Sequence, residues 1–316
     1  MRRKIFAGLL LAVAAAVLMA AFALRSRLPG RPGGGVAGES VGIIFIEGVI
    51  TGGTAEGAFG GPAAGSQAII EQLREARRDP NVKAVVLRLD TPGGSAPAAQ
   101  EISVEVQRLR RAGKKVVASM GDAAASGGYW IASQADRIVA NPATLTGSIG
   151  VIMQLINMQE LYRKLGLASE VIKSGPHKDM GSPTRPLTGE EREILQGMVD
   201  DIYQQFLQVV AEGRGLPLEK VRQLADGRIY TGRQAKELGL VDELGNFYDA
   251  VRLAASLAGI EGEPNLRYFA RPSPWDWLFR LFSQGKSALL PSFLPWKQDL
   301  GLALWLLPDL REGGAR

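Results

Sequence analysis

The chain has 316 residues, enough for one large domain or two modest ones, and its 46% apolar and 22% charged residues suit a globular protein with some added membrane-seeking sequence. It has no cysteine, which excludes disulfides, thiolate metal sites and cysteine nucleophiles, and one histidine, His177, which excludes a two-histidine zinc helix. The net charge of +5 does not describe a nucleic-acid binder: residues 1–31 hold six Arg/Lys and no acid, the rest of the chain is about −1, and the basic ends are also the apolar ones.

Residues 5–24 form an uncharged run between basic flanks, just long enough to span the hydrocarbon core of a bilayer. They are read as an uncleaved membrane anchor within residues 1–27, because the run is long for a signal-peptide core, even though Ala21-Phe22-Ala23 has the form of a cleavage site. The Gly/Pro-rich stretch 28–40 is a flexible tether, and the chain beyond it is expected outside the cytoplasm. Residues 41–46 are a short buried strand, and 52–65 a Gly/Ala-rich loop. Apolar positions at helical spacing predict a helix over 66–78, stopped by Asp79-Pro80-Asn81.

A strand over 82–89 ends at Asp90-Thr91-Pro92-Gly93-Gly94, a helix covers 96–112, and a third strand covers 115–120. Residues 137–140 continue the alternation, and helices come next over 188–212, 217–225, 231–238 and 247–258. Strands that are apolar almost throughout, alternating with helices, predict an α/β fold with a mostly parallel sheet and helices on both faces.

The third strand runs into Ala123-Ala124-Ala125-Ser126-Gly127-Gly128-Tyr129-Trp130. Tiny neighbours let a substrate backbone approach, and free N–H groups at a helix start can hold developing negative charge, so Ser126 stands where a nucleophile could act. An ordinary helix cap fits the same residues. Gly93 and Gly94 lie at the end of a buried strand, where open α/β sheets place ligands, and a plain Pro-Gly turn is the alternative there. For a base, His177 is an uncomfortable choice. Lys178 follows a strand end near 171–172, and a lysine drawn into an apolar site loses its proton more readily, although Lys173 would serve equally on this ground.

Ser126-Gly127-Gly128-Tyr129, Asp90-Thr91-Pro92-Gly93-Gly94, Thr146-Gly147-Ser148-Ile149-Gly150 and Ser174-Gly175-Pro176-His177-Lys178-Asp179 together resemble the short signal peptide peptidase A family. The likeness runs from about residue 40 to about 260, in the same order and spacing. It implies a fold like that of the Clp protease and crotonase group, with Ser126 as nucleophile and Lys178 as general base. It further implies that Ser148 orients the lysine and that the N–H of Gly127, with that of Gly93 or Gly94, forms the oxyanion hole. Asp179 would position its loop, and His177 would be structural. No metal and no cofactor are implied. Expected partners are the membrane, remnant signal peptides or unfolded peptides, and further copies of the chain in a ring whose sites are completed between protomers. The peptidase domain is placed at 41–263. A tail over 264–316, rich in Trp and Phe, suits a membrane interface, a protein contact or occupation of the site. A crotonase-like acyl-CoA enzyme and a non-catalytic membrane scaffold are the rival readings.

Overall fold

The computed structural model describes residues 38–53 and 63–269. The anchor expected over 1–27 and the tail beyond 269 lie outside the described residues. Among those described, no helix is long and apolar enough to cross a membrane.

The chain enters through β1 (Ser40–Glu47) and a short pair, β2 (Val49–Thr51) and β3 (Ala63–Gly65), before helix α1 (Ser66–Arg78). Then come β4 (Val82–Thr91), α2 (Ala96–Arg111), β5 (Lys115–Ala125), α3 (Gly127–Ala132), β6 (Arg137–Ala140) and β7 (Leu145–Gly147). Next are α4 (Gln159–Lys164), α5 (Gly189–Arg214), α6 (Leu218–Leu224), β8 (Ile229–Thr231), α7 (Gly232–Glu237), β9 (Glu243–Leu244), α8 (Phe247–Leu257) and β10 (Asn265–Phe269).

Six strands form the main path of the sheet, β10-β1-β4-β5-β6-β9, and every pairing along it is parallel. Successive side chains leave opposite faces of a strand, so the apolar runs feed two separate cores. Ile44, Ile46, Val85, Leu87 and Leu89 pack on one side with α1 and α2 residues such as Leu73, Ile102 and Val106. Ile43, Ala84, Val86, Val117 and Val139 pack on the other with Ala250, Val251, Ala254 and Ala255 of α8. Helices therefore cover both faces, as the near-continuous apolar strands require; each buried Ile, Leu or Val contributes about 1.5–3 kcal/mol.

Two departures from the sequence reading matter. The sheet runs on past residue 263, because β10 adds a parallel strand beside β1 with Asn265 opposite Ser40, and Phe269 is buried in the larger core. The strand end expected near 171–172 is absent: residues 151–188 hold only α4, which buries none of its residues. Ile152, Ile156, Leu165, Leu167 and Ile172 of this segment are exposed.

Two details of register build the site. Between Leu89, opposite Met120, and Thr91, opposite Ala124, β5 gains residues relative to β4, a bulge after which the pairing resumes just before the glycine loop. Beyond β6, residues Ala123–Ala125 of β5 pair instead with β7, which in turn pairs antiparallel with β8.

Candidate active site

Ser126 sits where β5 turns into α3. Its N–H donates to the Gly147 carbonyl at 2.9 Å, and its carbonyl accepts from Trp130 N–H at 2.9 Å. These bonds hold the residue at φ 52°, ψ −119°, outside the regions open to most side chains. Such a conformation costs on the order of 1–3 kcal/mol and persists only where the surroundings enforce it. Below it Tyr129 is fully buried, with its hydroxyl donating to the Leu240 carbonyl at 2.8 Å, and Trp130 packs against Phe206. Ser126 holds the cap position of α3, yet its hydroxyl makes no capping hydrogen bond, so the ordinary cap reading fails. The side chain is half-buried and its Oγ is left for other work.

The loop after β4 lies directly against this turn. A Cβ at Gly93 would come within 2.7 Å of the Ser126 Cβ and 2.9 Å of the Gly127 nitrogen, and a Cβ at Gly94 would collide with the Ile50 carbonyl oxygen. Both glycines have positive φ, 104° and 150°. Either substitution is therefore blocked by space and by conformation. The two are not equivalent as donors. Gly93 is buried and its N–H is already bound to Thr91 Oγ1 at 3.0 Å, a short side-chain turn. Gly94 is exposed, and among the described residues neither its N–H nor that of Gly127 donates to any protein group. A Cβ built at Gly127 falls 3.5 Å from the Gly94 nitrogen, so the two free donors belong to one small region. Of the two glycines that the sequence offers, only Gly94 keeps an N–H without an acceptor among the described residues.

Ser148 follows β7 as Ser126 follows β5. Ala125 pairs with Gly147, so the two serines leave adjacent parallel strands side by side. Ser148 also has positive φ, 48°, and these are the only two non-glycine residues with positive φ among those described. Its N–H donates to the Arg228 carbonyl at 2.8 Å, and no hydrogen bond holds its hydroxyl.

Lys178 is exposed, and among the described residues its ammonium forms no hydrogen bond or ion pair. A single chain does not bring it into hydrogen-bond contact with Ser126. Lys173, the competing lysine, is occupied: its Nζ lies 2.6 Å from Asp179 Oδ1 and 2.9 Å from the Pro176 carbonyl. His177 Nε2 is 3.5 Å from Glu190, and its buried Nδ1 has no partner.

The residues around Lys178 include a network that motif reading missed. Arg185 donates to both oxygens of Asp179, Nε to Oδ2 at 2.9 Å and Nη2 to Oδ1 at 2.7 Å. It also donates to both oxygens of Glu191, at 2.8 and 2.5 Å. The Arg185 guanidinium, helped by Lys173, holds the Asp179 carboxyl far below the usual carboxylate range. Arg185 and then the Thr188 N–H hold Glu191 down at about 2. These partners in turn raise the Arg185 guanidinium above its ordinary value. The one sequence signal available was the capping pair Thr188 and Glu191, which starts α5.

A family model described as peptidase family S49 matches residues 108–261. A protein of Synechocystis sp. named as a protease is 44% identical over 231 residues, covering 73% of this chain and 82% of its own length. A protein of Enterococcus faecium named as a signal peptide peptidase, SppA, is 37% identical across 69% of this chain and 63% of its own. The chloroplastic serine protease SPPA of Arabidopsis thaliana is 38% identical across 63% of this chain and 30% of its own.

Proposed function

The chain belongs to peptidase family S49 and is a serine peptidase, and from that premise we propose that Ser126 is its nucleophile and Lys178 its general base. The observation that carries the reading is Ser126 itself: a strained serine at a strand-to-helix turn, with a free hydroxyl and free N–H donors at Gly94 and Gly127. The same strand–turn–helix logic exposes the nucleophile in other serine hydrolases.

In the proposed reaction Lys178, unprotonated, takes the proton from Ser126 Oγ as the oxygen attacks the peptide carbonyl carbon. The carbonyl oxygen gains the negative charge and is held by the Gly94 and Gly127 N–H groups. Lys178 then gives its proton to the departing amine. Water, activated by the same lysine, releases the acyl group and restores Ser126. Ser148, beside the nucleophile, orients the lysine. Because Lys178 is exposed and makes no hydrogen bond to Ser126 within one chain, the base facing each serine comes from a neighbouring copy. The exposed apolar side chains of 151–172 supply the surface for that assembly.

The substrate class is extended apolar peptide, remnant signal peptides in particular. Tiny residues flank Ser126, and a relative bears the signal peptide peptidase name. The run over 5–24 anchors the enzyme with its peptidase domain outside the cytoplasm.

The direct test is covalent. A fluorophosphonate incubated with the full chain in detergent should modify one residue, found by peptide mapping to be Ser126, and Ser126→Ala should take up none. Label on another serine would displace the assignment. Gly94→Ala tests the oxyanion donors. The new methyl cannot be accommodated against Ile50, so kcat should fall by roughly 10²–10³ with a smaller change in KM, the scale seen when one such donor is lost. An unchanged kcat would mean that Gly94 does not touch the transition state.

A further inference from the structure

We infer that Arg185 is a positioning residue for Lys178, acting through Asp179. The inference rests on the reading of Lys178 as general base.

Segment 174–188 contains no helix or strand, so its place is fixed by individual attachments. The backbone bonds around the lysine are local: Lys178 N–H to the Gly175 carbonyl, Met180 to His177, Ser182 to Asp179. They shape the loop locally, and one further backbone bond, Met158 N–H to the Pro183 carbonyl at 2.7 Å, ties its later part to the residue before α4. Asp179, next to the lysine, carries the side-chain tie nearest to it. One guanidinium forks onto its two oxygens and onto the two oxygens of Glu191, which is buried and caps the start of the long helix α5. Arg185 thus links the residue beside the base to a rigid element by four charge-assisted bonds. The other charged groups facing this point are Lys173, on the same loop, and the His177–Glu190 pair at 3.5 Å, too long for a firm hydrogen bond. Without Arg185 the Asp179 carboxylate keeps only Lys173, so the loop loses its attachment to α5, and Asp179 and Glu191 share one cation fewer beside the base.

A lysine that is exposed in one chain and must meet a serine on another depends on a loop held in place beforehand. Misplacing a reacting group by about 1 Å can cost on the order of 10²-fold in rate. Arg185 supplies that placement and also sets the charge around the base.

The test compares Arg185→Met, Arg185→Lys, Asp179→Asn and Lys178→Ala in the full chain, at matched assembly size, with kcat and KM measured from pH 6 to 10.5. Arg185→Met should lower kcat on the order of 10²-fold with little change in KM. Its ascending pH limb should move to higher pH, because the loss of one cation from the Asp179–Glu191 pair favours the protonated lysine. Arg185→Lys, a single point charge that cannot fork two carboxylates, should keep the limb near its wild-type position and recover only part of kcat. Asp179→Asn should lower kcat without moving the limb upward. A merely structural arginine would change thermal stability or assembly and leave the limb where it was. Wild-type kcat and limb in Arg185→Met and Asp179→Asn, with Lys178→Ala inactive, would overturn the inference and leave the dyad standing. An active Lys178→Ala would instead sink the dyad reading. If Arg185→Met does not fold, Asp179→Asn decides, since it leaves the Arg185–Glu191 pair and the helix cap intact.

Discussion

Ser126→Ala and Lys178→Ala should each lower kcat/KM for an apolar fluorogenic peptide by at least ~10⁴-fold, because nucleophile and base act as one unit and losing either removes the step. The two losses should not multiply: the double variant should be about as slow as either single one. Lys173→Ala is the control. Its ammonium is engaged with Asp179 and Pro176, and removing one surface ion pair should cost no more than about tenfold. The order of these effects separates two lysines that the sequence alone offers equally. A severe loss in Lys173→Ala with Lys178→Ala nearly normal would reverse the assignment. Severe loss in neither would place the base elsewhere, and His177→Ala would be measured next.

Placing aspartates on the exposed segment should abolish activity without touching the site. Ile152 and Ile172 are 88% and 97% exposed, so Ile152→Asp with Ile172→Asp removes no contact inside one chain. In an assembly that buries both side chains, each introduced carboxylate would be stripped of water without a partner. That costs several kcal/mol, enough to weaken association by roughly 10³-fold or more. The expected result is a folded chain with a wild-type circular dichroism spectrum, a sedimentation coefficient near that of a single copy, and no measurable hydrolysis. Full activity in a single copy would show that one chain carries a complete site, and the neighbour-supplied lysine would have to be abandoned.

Much of the scaffold is legible in the residues because burial on both faces leaves a local trace. Strands such as 82–89 are apolar almost throughout, helices such as 66–78 carry apolar positions at helical spacing, and Asp79-Pro80 marks a stop wherever it occurs. The strand at 265–269 leaves no such trace: Asn265, Leu266, Arg267, Tyr268 and Phe269 alternate weakly, and they form a strand because the edge of β1 is there to pair with. The strand end expected near 171–172 failed for the converse reason. Val171 and Ile172 are good strand formers that pair with no strand among the described residues, and propensity without a pairing partner makes no strand.

Residue type and short spacing were enough to establish the α/β alternation, the absence of cysteine and two-histidine chemistry, the two glycine loops, and the small-residue surroundings of Ser126. The arrangement of the site came from the folded chain. Folding placed Ser126 and Ser148 side by side through the Ala125–Gly147 pairing, both at positive φ. It freed the Gly94 N–H while the Thr91 hydroxyl took that of Gly93, occupied Lys173, left Lys178 exposed, and joined Asp179 to Glu191 through Arg185. Each of these depends on which donor meets which acceptor across a fold. A hydrogen bond is fixed by about 3 Å of space between atoms, and a list of residues does not contain that distance.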